Sequence, residues 1–155
     1  MKRILLISLA TIGVLWGALA MAAPPSSPVG DWLTGRGGAV VHIAPCGGDL
    51  CGRIVGIVLD HGAAVPADWQ GRSECGFELI RPSARSGAFW HGRIIDPRNG
   101  NAYHARFHVT RTGALALRGY LGLPIFGQTQ HWVRYLGPVP HSCRIARTRI
   151  ASSGN

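Results

Sequence analysis

Between residues 102 and 110 apolar and polar side chains alternate without interruption. Tyr103, Ala105, Phe107 and Val109 fall on one face, and His104, Arg106, His108 and Thr110 on the other. A period of two is the signature of a strand buried on one face and wet on the other. Weaker alternation and runs of β-branched and aromatic residues predict further strands at 30–33, 39–44, 51–60, 77–81, 89–95, 114–121 and 129–135. Beyond the N-terminal region no segment repeats its apolar residues convincingly at helical spacing, and only a turn of helix is expected near 67–71. Between strands, Asp96-Pro97-Arg98-Asn99-Gly100-Asn101 supplies a proline and an Asn-Gly pair, with Asp96, Pro97, Asn99 and Gly100 as the residues of a hairpin turn. Arg111-Thr112-Gly113 supplies a second turn. Eight short strands joined in order make a meander that removes its own edges by closing. The expected fold class is all-β: a single antiparallel up-and-down barrel of about eight strands, with a flattened β-sandwich as the alternative.

The chain opens differently, with Lys2 and Arg3, an uncharged apolar run from Ile4, and Ala20-Met21-Ala22. A basic start, an apolar stretch and a small-x-small cleavage site read as a secretory signal peptide over 1–22. The competing reading is a retained membrane anchor; the small residues at the cleavage positions and Pro24-Pro25 after them argue against it. A Pro/Ser linker follows over 23–28, then a barrel domain over 29–136 and a C-terminal extension over 137–155. About 130 residues make one domain with a real core, too few for a multi-domain enzyme. The expected location is periplasmic or secreted. Of 16 basic residues two lie in the leader, and the remaining 14, all arginine, face 7 acids. An exported protein with that excess meets anionic lipid surfaces and polysaccharides rather than nucleic acid. Arg144, Arg147 and Arg149 fall in a tail that reads as a solvated, disordered end.

Four cysteines stand at 46, 51, 75 and 143. A zinc knuckle would need a second close pair or ligands at knuckle spacing, and a redox centre a C-x-x-C beside a helix N-terminus. The sequence has neither, so no metal is expected. An even count in an exported domain reads as two disulfides. Cys46 with Cys51 would close a glycine-rich turn, and Cys75 with Cys143 would tie the C-terminal segment to the body.

A series of short motifs carries a resemblance: G-D-W at 30–32, C-x-x-x-x-C-G at 46–52, I-I-D-P-x-N-G at 94–100 followed by Tyr103, R-G-Y-x-G at 118–122 and G-Q-T-Q-x-W-x-R at 127–134. In this order they resemble a bacterial family of small exported proteins of unknown function whose known members look like lipocalins. The resemblance implies a calycin-like barrel and supplies no activity. It also implies that Trp32 and Arg134 form the barrel floor, the arginine stacked on the indole. The T-D-Y-type motif of the core lipocalins is absent, so ligand chemistry does not carry over.

Catalytic candidates are few. His91, His104 and His108 lie beside arginines on strands, Asp96 sits in a turn, Ser142 lies in the tail, and Glu74 or Glu78 could pair with Asp60 or Asp68 only by folding. No phosphate loop opens a helix, so no nucleotide cofactor is expected. The chain is expected not to be an enzyme but a monomer that binds a small apolar or carboxylate-bearing molecule, with Arg118, Tyr120, Tyr103 and Phe107 as the candidate ligand contacts. Arg118 and Tyr120 share a face. Turned inward, Arg118 would need an anionic partner; turned outward, it would be a surface charge. The alternative function is a filled barrel that acts through its surface on an envelope protein or an anionic lipid surface.

Overall fold

The computed structural model describes residues 27–152, so the leader over 1–22 and most of the linker lie outside the described residues. Nine strands form one sheet: β1 Gly30–Leu33, β2 Ala39–Cys46, β3 Asp49–Leu59, β4 Glu78–Ser86, β5 Phe89–Ile95, β6 Ala102–Val109, β7 Leu115–Tyr120, β8 Gln128–Arg134 and β9 Arg144–Ala146. Each of the first eight pairs antiparallel with its neighbour in sequence. β8 returns to β1, with Trp32 opposite Arg134. The meander is therefore a closed barrel and not an open sandwich.

Alternation decides what fills it. Trp32, Val41, Ile43, Ile54, Phe107 and Trp132 are among the inward residues of a single buried cluster. β3 contributes to both sides of the wall. A bulge leaves Val55 unpaired between Val41↔Ile54 and Val40↔Gly56, so that Ile54 and Ile57 face the interior while Val55 and Val58 face out.

The outward apolar patch explains a departure from the solvated tail expected at Arg144–Arg149. β9 pairs parallel with residues 57–59 of β3, and Ile145, 1% exposed, packs on Val40, Val58 and Tyr135. Arg144 donates to the Ala63 carbonyl and Arg147 to Asp60 (2.7 Å). A six-residue helix, α1 Arg147–Ser152, follows. One buried isoleucine between cations outweighs the polar character of the segment.

The turn of helix expected at 67–71 is replaced by a loop built around Asp68. Its carboxylate accepts hydrogen bonds from the Gln70 and Arg72 amides (2.8 and 2.9 Å) and from the Arg72 guanidinium (3.1 and 3.0 Å). β4 runs on to Ser86, past an irregularity around Pro82 and Ser83 where the predicted strand stopped. Both disulfides pair as Cys46–Cys51, across the β2–β3 hairpin, and Cys75–Cys143, joining the long β3–β4 loop to the segment before β9.

Candidate functional site: an open cavity at one end of the barrel

The N-terminal approach to β1 closes one end. Trp32 is fully buried, and its indole N–H donates to the Pro28 carbonyl (2.7 Å). The Arg134 guanidinium lies over that indole at 4.2 Å and donates to the Val29 and Ser27 carbonyls (3.0 and 2.8 Å). Gly30 makes this approach feasible: its φ of +123° suits glycine, and a Cβ there would sit 2.7 Å from the arginine. Above this floor Phe107, Leu115 and Leu117 fill the middle of the barrel.

The opposite end is open. There the β1–β2, β5–β6 and β7–β8 connections border a cavity of about 630 Å3. Leu79, Ile94, Tyr103, Leu117 and Trp132 line its apolar part, and Arg36, Asp96, Arg98, Gln128 and Gln130 add polar groups. Gly119 leaves room in the wall, since a Cβ there would press on Ile94 (3.0 Å). Gln130 accepts the Trp132 indole N–H (3.0 Å) and so fixes the ring at the bottom of the cavity. Arg36 has no hydrogen bond or ion pair among the described residues.

The hairpin at 96–101 builds part of the mouth. Asp96 accepts from the Arg98 amide (3.0 Å) and guanidinium (3.0 and 2.7 Å), and Asn99 accepts the Asn101 amide (2.8 Å). The Pro97 carbonyl takes the Trp69 amide (2.8 Å), and the Trp69 ring covers Gly100, whose φ is +75°. The turn thus clamps the long loop. The Arg98 hydrogen bond holds the Asp96 carboxyl below the usual range, against a smaller opposing effect of burial. Arg98 is raised in return. Burial tends to raise Asp68, but the Arg72 and Gln70 hydrogen bonds together reverse it, so Asp68 also titrates low. Glu74 is the opposite case, raised first by burial and then by the charge of Asp96. It does not line the cavity.

The four candidate ligand contacts separate. Tyr103 lines the cavity, whereas Phe107 is fully buried beneath it. Arg118 faces outward, opposite Arg106 and Thr129, and donates to the Pro124 carbonyl (2.7 Å), Thr129 Oγ1 (2.9 Å) and the Ile125 carbonyl (3.2 Å). Tyr120 stacks on His104 (5.5 Å between centroids) and, like Tyr103, is among the residues lining the cavity. Of the two orientations open to Arg118 the outward one is taken, and its partners are the Thr129 hydroxyl and the carbonyls of its own neighbouring turn. Gln128, Gln130 and Arg36 were not among the sequence candidates. For the glutamines a signal existed, because alternation puts them on the face of Trp132. Among the described residues no group of three His, Cys, Asp or Glu converges as a metal site.

A bacterial family described as "Uncharacterized protein conserved in bacteria (DUF2147)" matches residues 30–134. That span covers β1 to β8 and ends before β9 and Cys143. Among solved structures, the Helicobacter pylori protein HP1028, described as belonging to the lipocalin family, superposes with a TM-score of 0.61 at 18% identity, over 72% of this chain and 84% of that one. At such identity the likeness is one of fold. No curated protein matches the chain.

Proposed function

Because the chain belongs to the DUF2147 family of uncharacterised bacterial proteins, we propose that it is an exported binding protein that takes a small amphipathic molecule, anionic at one end, into the open end of its barrel. The observation that carries this reading is the half-filled interior. A cavity of about 630 Å3 lies within the usual range for ligand sites and has their usual make-up, an apolar wall with a few convergent polar groups. The tail of such a molecule would lie against Leu79, Ile94 and Leu117, its polar middle against Gln128 and Gln130. Its acidic head would meet Arg36, a rim cation with no hydrogen bond or ion pair among the described residues. The lipocalin-like fold supports this use of the interior. The two disulfides suit an oxidising compartment, and the leader read at 1–22 makes the periplasm the proposed location. A binding role is preferred over hydrolysis because Asp96 and Asp68 are held by arginines while Glu74 lies outside the cavity lining.

Native mass spectrometry of protein purified from the periplasm of its own host, followed by denaturing extraction, tests the reading directly. A stoichiometric fatty acid or related lipid is the expected result, and Arg36→Ser should weaken its binding about tenfold or more, the usual scale of a charge-assisted hydrogen bond. A protein that emerges empty and also leaves an apolar dye dark would overturn it.

A further inference from the structure

The outer face of β5–β8 carries no carboxylate, since the last acid in the chain is Asp96 at the end of β5. In register across it, His91, Arg106, Arg118 and Thr129 form one row; Arg93, His104 and Tyr120 form the next row toward the mouth. Like charges directly opposite weaken a ladder, yet Arg106 and Arg118 are paired in this way. Glu78, on the neighbouring strand β4, is already bound by Arg53 and Arg81. Arg93, exposed, has no hydrogen bond or ion pair among the described residues.

At the mouth end of this face the β7–β8 connection presents Leu121, Leu123, Ile125 and Phe126, each between 64 and 78% exposed. So many large apolar groups within six residues are unusual on a soluble surface. The loop is a built structure. A 3-10 turn at Pro124–Phe126 closes through the Phe126 amide to the Leu123 carbonyl and the Gly127 amide to the Pro124 carbonyl. Arg118 satisfies the Pro124 and Ile125 carbonyls from behind. Gly127 lets the turn sit against β7, where a Cβ would run into the Gly119 carbonyl and Tyr120. Backbone entering a lipid interface favours internally bonded polar groups, and at this tip the Leu123, Pro124 and Ile125 carbonyls and the Phe126 and Gly127 amides are bonded in that way.

We propose that the open end of the barrel docks on an anionic phospholipid bilayer. Leu123 and Ile125 enter the boundary between headgroups and acyl chains, while Arg93 rests on headgroup phosphates. Apolar insertion beside basic residues is the general recipe for binding at a membrane surface. Charge complementarity selects this partner, since a face with three arginines and no acid favours an anionic surface. Leu121 and Phe126 line the cavity as well as the tip, so the mouth would open onto the bilayer. The inference rests on surface features and holds whether or not the cavity carries a ligand.

Flotation of the disulfide-intact protein with vesicles tests it, comparing phosphatidylcholine alone with a phosphatidylcholine–phosphatidylglycerol mixture. Binding to the anionic vesicles only, falling as salt is raised, is expected. Leu123→Ser/Ile125→Ser should weaken it about tenfold or more, and Arg93→Ser should weaken it several-fold with a shallower salt dependence. Circular dichroism and apolar-dye binding without vesicles should be unchanged in both variants, separating this outcome from loss of fold or of the cavity. No binding to anionic vesicles, or equal binding by the Leu123/Ile125 variant, would overturn the proposal. So would a dimer that the same variant dissolves in place of vesicle binding, which would assign the tip to a second copy of the chain.

Discussion

Arg118 and Tyr120 show how far a single residue can be read from sequence. Their separation of two fixes them on a common face, but Leu115-Ala116-Leu117 just before them is apolar on both parities and buried throughout, so nothing local says which face is inner. In β6 the unbroken alternation settles the same question. The acids around the mouth carry a second lesson, that neighbouring carboxyls can affect stability with opposite signs. Asp68 and Asp96, held below the ordinary 3.8, favour the fold at neutral pH, and that contribution is lost as pH falls through their folded values. Glu74 is raised above 4.5, so its contribution is present below that pH and lost as pH rises through its folded value. Glu74→Gln should therefore melt at a higher temperature than the parent at neutral pH, the gap closing as pH drops below 4.5. Thermal scans across that range check it, and a gap independent of pH would count against the burial and Asp96 charge invoked here.

Elements were legible where several residues agreed and lost where one residue decided. β1 and β5 match their predicted bounds, because alternation and flanking turns give the same answer. β9 rests on Ile145 alone among arginines, and the loop at 67–73 on the Asp68 carboxylate after Pro66, features that no periodicity reports. Their importance is unequal to their visibility. Ile145 fills the groove left by Gly56 between Val40 and Val58, so Ile145→Ala should cost about 2–5 kcal/mol in denaturant unfolding. A value near zero would mean that β9 does not hold the outer cluster together.

For the whole molecule, the number of strands and the shortness of most turns made a closed meander predictable, but not its hollow end. The cavity depends on Gly119, Gln128 and Gln130 occupying inward positions that a larger or more apolar residue would have filled. The Cys75–Cys143 link spans 68 residues and ties the C-terminal segment to the barrel body. Replacing both with serine should lower stability by about 4 kcal/mol through the freed chain, leaving the β-sheet circular dichroism of the folded state intact. Replacing Cys46 and Cys51, five residues apart, should cost less. The seam between β1 and β8 has a further consequence, for the order of events in folding. Arg134 seals the floor by bonding to a carbonyl 105 positions earlier. Contacts so remote in sequence form late and slow the fold. A chain emerging N-terminus first keeps β1 without its β8 partner until residue 134 is free, which leaves that edge, for the interval, open to pairing with a second copy's exposed edge.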